Sequence, residues 1–275
     1  MISILDQRDP VVSAVVGKVR CEHGSLVDFG SPDRVALAVH WSSGPVVSRS
    51  FRRLLNEFAS NGYRPVVVSA CEVNQPLEWG GELPAETIVL RKPNLGYDFG
   101  SWAVGLACLP IARAPYVILA NDSLVGPFAS LASFLERFAA TPADVWSMTD
   151  TYQYFHHLQS YFLGFRRGVL AEPPLARFFD TVREEDSKWQ IIMRNELALT
   201  RLLYAEGYVI TSAFRSENIV SPGSNPVIEG WRTLLERGFP FVKREILRDS
   251  NVAPDGDLVP REVEARFGER VEDWI

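Results

Sequence analysis

The sequence predicts an α/β fold in which a mostly parallel central sheet is flanked by helices. Short apolar runs, typical of buried strands, alternate with amphipathic helical patterns through the first half of the chain. Polar or glycine-containing loops follow several of these runs at their carboxyl ends. This alternation is typical of parallel strands joined by helical crossovers.

The first predicted elements are three strands and the helix that follows the first of them. Residues 35–40 form an apolar run that leads into a Ser-Ser-Gly loop, which predicts a buried strand. Residues 46–61 place their apolar side chains on one helical face, and Gly62 ends this helix. Residues 65–69 and 87–90 are the next two predicted strands.

The middle of the chain continues the same pattern. Residues 102–109 predict a helical stretch that Pro110 interrupts. Residues 116–120 are the strongest strand of the sequence. A helix with apolar residues between positions 131 and 138 follows, and residues 144–148 predict another strand.

The second half of the chain is less regular. Residues 158–170 predict a strand pair or an extended segment, and residues 175–182 predict a short helix. A longer helix is predicted over residues 191–206. Residues 208–211 close the main body as a last strand.

The length of 275 residues is compatible with one large α/β domain. We expect a single domain over residues 1–275, with a core at about residues 33–215. The C-terminal segment, residues 216–275, is richer in proline, glycine and charge, and we expect it to wrap the domain or cap its cleft.

Composition narrows the class of partner. The formal net charge is −6, whereas a nucleic-acid-binding surface normally shows a basic surplus, so we expect no nucleic-acid partner. No apolar run approaches the length of a membrane span, and the N-terminus is polar. The three cysteines are widely separated and have no metal-ligand spacing. These features predict a cytoplasmic protein.

Polar groups follow three of the predicted strands. Ligands of open parallel sheets bind beyond the carboxyl ends of the strands, so groups at these positions are candidates for a binding site. They are Ser42 with Ser43, the segment 94–100, and Asn121 with Asp122. Their convergence would form a cleft for a phosphate or a sugar nucleotide.

Several of these residues have two interpretations. Asp122 could hold a divalent cation that neutralises a pyrophosphate leaving group, or it could close the loop as an Asx turn. Asn94 and Gly96 could bring the backbone close to a phosphate or ribose, although glycine also permits a tight turn. Asp98 is also typical of a helix N-cap.

Two further groups lie in the second half of the chain. His156 and His157 are adjacent, and neighbouring residues on a strand point to opposite faces, so we expect at most one of them to enter a site. Gln159 and Tyr161 add hydrogen-bonding groups suited to hydroxyl recognition. Glu196, near the start of a predicted helix, could act as a general base on a hydroxyl or could be a solvated helix residue.

Four segments, in order and with their spacing, resemble the rhamnan synthesis protein F family over roughly residues 33–250. They are residues 94–102 (NLGYDFGSW), 121–127 (NDSLVGP), 157–162 (HLQSYF) and 195–200 (NELALT). Each segment alone is a weak signal, and the four in series are specific. The family is associated with assembling rhamnose-containing cell-surface polysaccharides, so the resemblance implies a role in polysaccharide synthesis.

The same segments are similar to those of inverting glycosyltransferases with the GT-A fold, a nucleotide-diphospho-sugar transferase fold. This similarity implies that Asn94, Gly96, Asn121 and Asp122 bind the donor, that Asp122 holds a metal, and that Glu196 is the catalytic base. The chain departs from the pattern in two places. The aspartate motif is reduced to Asp122, and the acidic pair is reduced to Glu196 preceded by an amide.

The resemblance further implies a single inverting displacement assisted by Mg²⁺ or Mn²⁺. The donor would be a nucleotide sugar, with dTDP-L-rhamnose expected from the family. Ser42 and Ser43 would hold the nucleotide, and Asp98 would lie near the ribose or the donor sugar. The residues expected to line the donor-sugar or acceptor side are His157, Gln159 and Tyr161.

The acceptor implied by the resemblance is a growing glycan. A lipid-linked acceptor would bring the protein into peripheral contact with the inner face of the cell membrane. A non-catalytic carbohydrate-binding or assembly subunit is the alternative, because the aspartate motif is reduced. A nucleotidyltransferase is disfavoured, because the Ser-Ser-Gly loop after the first strand is too short for the glycine-rich, basic loop of that class.

Overall fold

The computed structural model describes residues 8–275. The strands are β1 Arg20–His23, β2 Arg34–His40, β3 Arg64–Ser69, β4 Ile88–Arg91, β5 Tyr116–Asn121, β6 Leu124–Val125, β7 Val145–Thr151, β8 His157–Leu158, β9 Phe162–Arg166, β10 Ile210–Phe214 and β11 Val242–Lys243. The helices are α1 Val11–Val15, α2 Arg49–Ser60, α3 Tyr97–Cys108, α4 Ala132–Ala140, α5 Pro173–Asp180, α6 Lys188–Ile191, α7 Leu197–Ala205, α8 Trp231–Glu236, α9 Arg244–Arg248 and α10 Val259–Phe267. A π-helical segment, Ile192–Glu196, joins α6 to α7.

The main sheet has the strand order β1-β4-β3-β2-β5-β9-β7-β10, with β8 paired to β7. The run β4-β3-β2-β5 is parallel, and β7 and β10 are parallel to each other. The antiparallel strand β9 lies between β5 and β7, so both of these point the same way. The predicted α/β fold with a mostly parallel sheet is therefore confirmed. Asp122, which follows β5, lies at the carboxyl edge of this sheet.

Helices cover both faces of the sheet. Along β2, Val35, Leu37 and Val39 pack into the cluster built with α1, α3, α5 and α7. Ala36 and Ala38 alternate with them and face the cluster built with α2, α4 and α8. Because both faces are covered, the central strands β2, β3, β4 and β5 are largely apolar, and this explains why the apolar runs of the sequence were a reliable signal.

The predicted strands 35–40, 65–69, 87–90, 116–120 and 144–148 are confirmed as β2, β3, β4, β5 and β7. The helix predicted over residues 46–61 begins instead at Arg49. Its preceding residue, Ser48, accepts a hydrogen bond from the N–H of Phe51, and this cap fixes the start.

Other boundaries also differ from the predictions, whereas the strand pair predicted as one alternative for residues 158–170 is present as β8 and β9. Helix α3 begins at Tyr97, with Gly96 in the left-handed conformation before it, so Asp98 lies in the first turn and the N-cap interpretation is wrong. The helix predicted over 191–206 is interrupted by the π-helical segment, which ends at Glu196. The segment 158–170 contains two strands, β8 and β9, followed by a short 3₁₀ turn.

The C-terminal segment, residues 216–275, forms a third apolar cluster around Trp231 and Trp274. Its strand β11 pairs antiparallel with β6, which follows Asp122 directly. The segment therefore returns to the carboxyl edge of the sheet. The boundary between this segment and a core at residues 33–215 stays a prediction. Within residues 8–275, none of the helices is both long enough and apolar enough to cross a membrane.

Candidate active site

Asp122 connects the ends of two neighbouring parallel strands. Its Oδ2 accepts the N–H of Trp41, the residue after β2, at 2.9 Å. Its backbone carbonyl accepts Nε–H of Arg244 at 3.0 Å. The turn after β5 is closed by Asn121, whose Oδ1 accepts the N–H of Ser123 at 3.1 Å. The Asx interpretation therefore applies to Asn121 rather than to Asp122.

Asp98 joins the segment 94–102 to the end of β5. Its Oδ2 accepts a hydrogen bond from Nδ2 of Asn121 at 2.7 Å. Burial and the negative charge of Asp122 raise the pKa of Asp98 from 3.8 to about 6, against the opposing effects of Asn121 and Lys243. Glu196 adds to the rise. Asn121 also links this pair to Glu196, because its N–H donates to the carbonyl of Tyr161 at 3.2 Å and the preceding residue, Ser160, donates to Glu196.

Glu196 is held by two residues that lie next to β8 and β9. Its Oε2 accepts the backbone N–H of Ser160 at 2.8 Å and also the hydroxyl of Ser160. Its Oε1 lies 3.6 Å from Nε2 of His157. Burial alone would raise the pKa of Glu196, but the hydrogen bonds from His157 and Ser160 outweigh it and hold the pKa below the usual value. Glu196 is therefore a carboxylate at neutral pH.

The position of Glu196 depends on the π-helical segment. A π-helical turn contains one more residue than an α-helical turn, and such bulges are frequent at functional sites. Asn195, on the same turn, is buried, whereas the Glu196 side chain remains 19% exposed. The bulge thus separates a buried amide from a carboxylate that solvent can reach.

The two adjacent histidines face different carboxylates. His157 donates from Nδ1 to the carbonyl of Phe155 at 2.8 Å and presents Nε2 to Glu196. His156 presents its Nε2 to Asp150 at 3.3 Å. Because Nδ1 of His157 carries a proton, its Nε2 donates to Glu196 only in the imidazolium form.

Gln159 and Tyr161 are turned into the fold. Both side chains are buried, and both hydrogen-bond to Oγ1 of Thr149 at 2.6 Å. Nε2 of Gln159 also donates to Oδ1 of Asn225 at 3.1 Å. Tyr161 lines a void of about 10 Å³ together with Asp122, which is far too small for a sugar. These two buried side chains therefore stabilise the segment that carries Ser160 and do not line a sugar-binding surface.

The other residues predicted to bind the donor lie on nearby loops. The hydroxyl of Ser42 donates to the carbonyl of Gly44 at 2.6 Å, and Ser43 is exposed. Asn94 is exposed and donates to a carboxylate oxygen of Glu72 at 3.3 Å. Gly96 has a φ of +80°, and a Cβ there would lie 2.6 Å from Val11. Packing against α1 therefore requires glycine at position 96.

An open cleft of about 450 Å³ lies beyond the carboxyl ends of β3 and β4. It is lined by Lys18, Arg20, Cys71, Glu72, Val73, Asn74, Arg91, Lys92, Pro93 and Asn94. The N–H of Glu72 donates to the carbonyl of Ser42 at 3.4 Å. Because Ser42 follows Trp41, which contacts Asp122, two consecutive residues link this cleft to the carboxylates.

The two basic residues at the end of β4 are engaged within the protein. Nη1 of Arg91 lies 2.6 Å from a carboxylate oxygen of Glu22. Lys92 is buried and donates to the carbonyls of Pro93 and Leu95 at 2.9 and 2.6 Å. Burial lowers the pKa of Lys92 to about 8, although Asp98 opposes this. These contacts shape the loop that carries Asn94.

Two groups near the site were missed by the sequence analysis. Lys243 and Arg244 arrive from the C-terminal segment, with Nζ of Lys243 donating to Oγ of Ser123 at 3.1 Å. Exposed aromatic rings lie beside the histidines, namely Tyr152, Tyr154, Trp189 and Tyr204. The sequence signals were a Lys-Arg pair after a short apolar run and the alternating tyrosines before His156.

The donor set around Asp122 does not fit the predicted Mg²⁺ or Mn²⁺. Among residues 8–275, no three His, Cys, Asp or Glu side chains lie close enough together to hold a metal ion. One oxygen of Asp122 already accepts an N–H, and the charges of Arg244 and Arg248 act on this carboxylate. Guanidinium groups repel a dication, whereas Mg²⁺ sites in proteins combine carboxylates with water and phosphate.

The raised pKa of Asp98 predicts a pH-dependent stability. A carboxyl whose pKa rises from 3.8 to about 6 on folding contributes stability that is complete below pH 3.8 and is lost as the pH rises through 6. Asp98→Asn keeps an oxygen for Asn121 but cannot ionise. In thermal unfolding, we expect the variant to exceed the unmodified protein in melting temperature at pH 8 but not at pH 4.

The exposed Asp257→Asn provides the matched control and should leave the melting temperature unchanged at both pH values. An equal difference between Asp98→Asn and the unmodified protein at pH 4 and pH 8 would contradict the assignment of the raised pKa to Asp98.

The fold and the site define an α/β protein with three carboxylates and a set of basic residues at the carboxyl edge of its sheet. The chain belongs to the family described as Rhamnan synthesis protein F, whose model matches residues 69–261. The predicted family resemblance is thereby confirmed, and the matched region begins and ends later than residues 33–250.

Two curated relatives share about a quarter of their aligned residues with this chain. Virulence protein VirA of Vibrio anguillarum (strain ATCC 68554 / 775) is 27% identical over 196 residues, covering 59% of this chain and 63% of VirA. Uncharacterized protein y4gN of Sinorhizobium fredii (strain NBRC 101917 / NGR234) is 23% identical over 155 residues, covering 54% of this chain and 40% of y4gN. The chain thus spans less than two thirds of either relative.

Two solved structures match part of this chain at low TM-scores. A putative nucleotide-diphospho-sugar transferase from Desulfovibrio desulfuricans G20 matches with a TM-score of 0.41 and 8% identity, covering 67% of this chain and 80% of the other. A glycosyltransferase involved in glycosylation of the major capsid of PBCV-1 matches with a TM-score of 0.41 and 12% identity. The match covers 80% of this chain and 99% of the other.

Proposed function

We propose that this protein is an inverting glycosyltransferase of polysaccharide synthesis, which moves a sugar from a nucleotide-sugar donor to a glycan acceptor. One observation carries the proposal. In a member of the rhamnan synthesis protein F family, Asp98, Asp122 and Glu196 lie at the sheet edge where α/β proteins bind their ligands, and hydrogen bonds of the intervening turns connect them. Glu196 is ionised, and its side chain is partly exposed.

In the proposed reaction, Glu196 accepts the proton of an acceptor hydroxyl while the oxygen attacks the anomeric carbon of the donor sugar. The bond from that carbon to the diphosphate breaks, its electron pair stays on the phosphate oxygen, and the nucleoside diphosphate leaves. A positioned general base typically contributes about 10²–10⁴-fold to such a rate. Ser160 and His157 hold the carboxylate in place for this step.

The nucleotide of the donor occupies the open cleft beyond β3 and β4 in this proposal. Asn94 lines the cleft, and the loop containing Ser42 and Ser43 lies between the cleft and Asp122. Asp98 then lies beside the ribose or the donor sugar. The family suggests dTDP-L-rhamnose as the donor, and a lipid-linked glycan as the acceptor would place the protein at the inner face of the cell membrane.

We assign the acceptor to the exposed aromatic rings beside Glu196. The Tyr154 ring stacks near His157 with their centroids 6.3 Å apart, and the Trp189 ring meets Tyr154 edge-on at 5.1 Å. Tyr154 and Trp189 are 47% and 51% exposed. Aromatic side chains offer an apolar face together with a polar tip, which suits the alternating apolar and hydroxyl surfaces of a sugar ring.

Tyr154→Ala is expected to raise KM for the acceptor by about 10-fold, because loss of a ring contact of ~1.4 kcal/mol corresponds to a factor of ten. The donor KM should not change, since Tyr154 does not line the nucleotide cleft. Tyr154→Phe keeps the ring and should retain acceptor affinity. Initial rates at varied acceptor concentration provide the measurement, and a rise in donor KM instead would contradict this assignment.

A screen of nucleotide sugars for release of nucleoside diphosphate, with and without glycan acceptors, tests the proposed function. We expect turnover with one class of donor. The reduced aspartate motif favours a second candidate, a non-catalytic carbohydrate-binding or assembly subunit. Calorimetry separates the two, because a polysaccharide-binding subunit would bind the glycan and give no heat with any nucleotide sugar.

A further inference from the structure

The C-terminal segment brings a set of basic side chains to Asp122. We infer that Arg244, supported by Lys243 and Arg248, binds the diphosphate of the donor, so that these cations take the place of the predicted metal ion. This inference rests on the proposed glycosyltransferase function. It goes beyond that function because it assigns the diphosphate to residues outside the segments that carry the family resemblance.

Backbone pairing fixes these cations against the turn that follows β5. Lys243 pairs with Leu124 in the antiparallel register of β11 and β6. The N–H of Arg244 donates to the carbonyl of Ser123 at 3.0 Å. Nε of Arg244 then reaches the carbonyl of Asp122 at 3.0 Å. A side chain anchored at both its backbone and its Nε has a defined orientation before any ligand binds.

Arg244 retains donors for a ligand. Its Nε is engaged by Asp122, whereas its two terminal nitrogens form no hydrogen bond with the part of the chain that the structure describes. A guanidinium group presents its donors in a planar fork that matches two phosphate oxygens. Arg244 can therefore support Asp122 and donate to a diphosphate simultaneously.

The local charges favour an anion over a dication. Burial and the neighbouring Arg248 lower the pKa of Arg244, and Asp122 opposes this, but an arginine remains charged at neutral pH. The nearby His40 is buried, and burial with the charges of Arg91 and Arg244 lowers its pKa to about 4, so it is neutral. The charges of Arg244 and Arg248 both act on the carboxylate of Asp122.

A diphosphate placed at Arg244 would be stabilised as it leaves. When the bond to the anomeric carbon breaks, negative charge increases on the phosphate oxygen, and preorganised donors stabilise such developing charge. Ser123 and Asn121 connect Lys243 to Asp98 by a continuous chain of hydrogen bonds.

Calorimetry of the full chain in EDTA tests the inference, with dTDP, dTMP, UDP, UMP and the free nucleosides as probes. We expect the unmodified protein to bind a nucleoside diphosphate without metal. Arg244→Ala should weaken diphosphate binding by about 10–100-fold, which is the range expected for a hydrogen bond to a charged group, and should leave nucleoside binding unchanged. Arg248→Ala should weaken it less, because its side chain is exposed.

Arg237→Ala, an exposed arginine of the same C-terminal segment, is the matched control and should bind like the unmodified protein. Arg244→Lys should recover part of the diphosphate affinity, since it restores the charge but not the fork. Equal losses for diphosphate, monophosphate and nucleoside would mean that Arg244 only supports the Asp122 loop, and would overturn the inference.

Two other outcomes separate this inference from the proposed function. Nucleotide binding that requires Mg²⁺ or Mn²⁺ and is indifferent to Arg244→Ala would overturn the role of the cations while leaving glycosyl transfer in place. Absence of any nucleotide binding, with metal or with EDTA, would overturn the proposed function and this inference with it.

Discussion

Replacing Glu196 with glutamine is expected to lower the rate of sugar transfer by about 10²–10⁴-fold, the contribution typical of a positioned general base. Glutamine keeps the size of the side chain and can still accept the N–H of Ser160, so the loop around β8 should keep its conformation. Because the amide cannot accept the proton of the acceptor hydroxyl, the loss should appear in kcat. Initial-rate kinetics with the donor identified by the screen provide the measurement.

Glu206→Gln is the matched control, since Glu206 is an exposed glutamate just beyond the end of α7. It should leave kcat unchanged. Calorimetry should show the same donor affinity for Glu196→Gln and for the unmodified protein. A Glu196→Gln variant that turns over at the normal rate would remove Glu196 from the role of base.

The second large effect concerns the stability of the fold beneath the site. Trp102 is fully buried, its Nε1 donates to the carbonyl of Ala120 at 3.2 Å, and its ring packs edge-on against Phe99 at 5.0 Å. Trp102→Ala should lower the free energy of unfolding by about 3–5 kcal/mol, because it leaves a cavity in the core. This corresponds to a decrease in melting temperature of roughly 10 °C for a chain of this size.

Trp102→Phe retains most of the packing and leaves the carbonyl of Ala120 without its side-chain donor. We expect it to cost roughly 1–3 kcal/mol, which is less than the alanine variant. Chemical denaturation followed by circular dichroism measures both. If the two variants lost equal stability, the hydrogen bond rather than the packing would dominate, in contradiction to this account.

Residues of the segment 94–102 have two different roles, packing of the core and formation of the carboxylate group. Gly96 and Trp102 are explained by packing, through the close approach of Val11 and the buried indole ring. Asp98 belongs to the carboxylate group through Asn121. The family resemblance marks all of these positions alike, because a motif records which residues are needed and not why.

The central strands β2, β3, β4, β5 and β7 and the helices between them could be predicted from the sequence because burial on both sheet faces leaves apolar runs. The convergence of the segment 94–100 with Asn121 and Asp122 followed less directly, from the rule that strand ends meet at one edge. The inward orientation of Gln159 and Tyr161 could not be predicted, since both residues lie in the turn between β8 and β9, where no strand periodicity indicates the direction of a side chain. Their partner, Thr149, lies on β7, a different strand.

The basic residues at Asp122 were the largest omission. Lys243 and Arg244 are more than a hundred positions from Asp122 in the sequence, and their approach depends on the pairing of two two-residue strands, β6 and β11. Such short pairings leave no pattern that a sequence reveals. The sequence showed that the aspartate motif is reduced. The inference that cations compensate for this could be drawn only from the fold, which brings them to Asp122.

Proton NMR of nucleotide sugars incubated with the full chain and glycan acceptors tests the central claim most directly, because it follows the donor and the product together. The account predicts that the anomeric signal of one donor class disappears and that a product of opposite anomeric configuration forms, with Glu196→Gln showing neither change. A product that retains the donor configuration would contradict an inverting mechanism. Consumption of no donor, together with binding of purified polysaccharide, would contradict the assignment of glycosyl transfer itself.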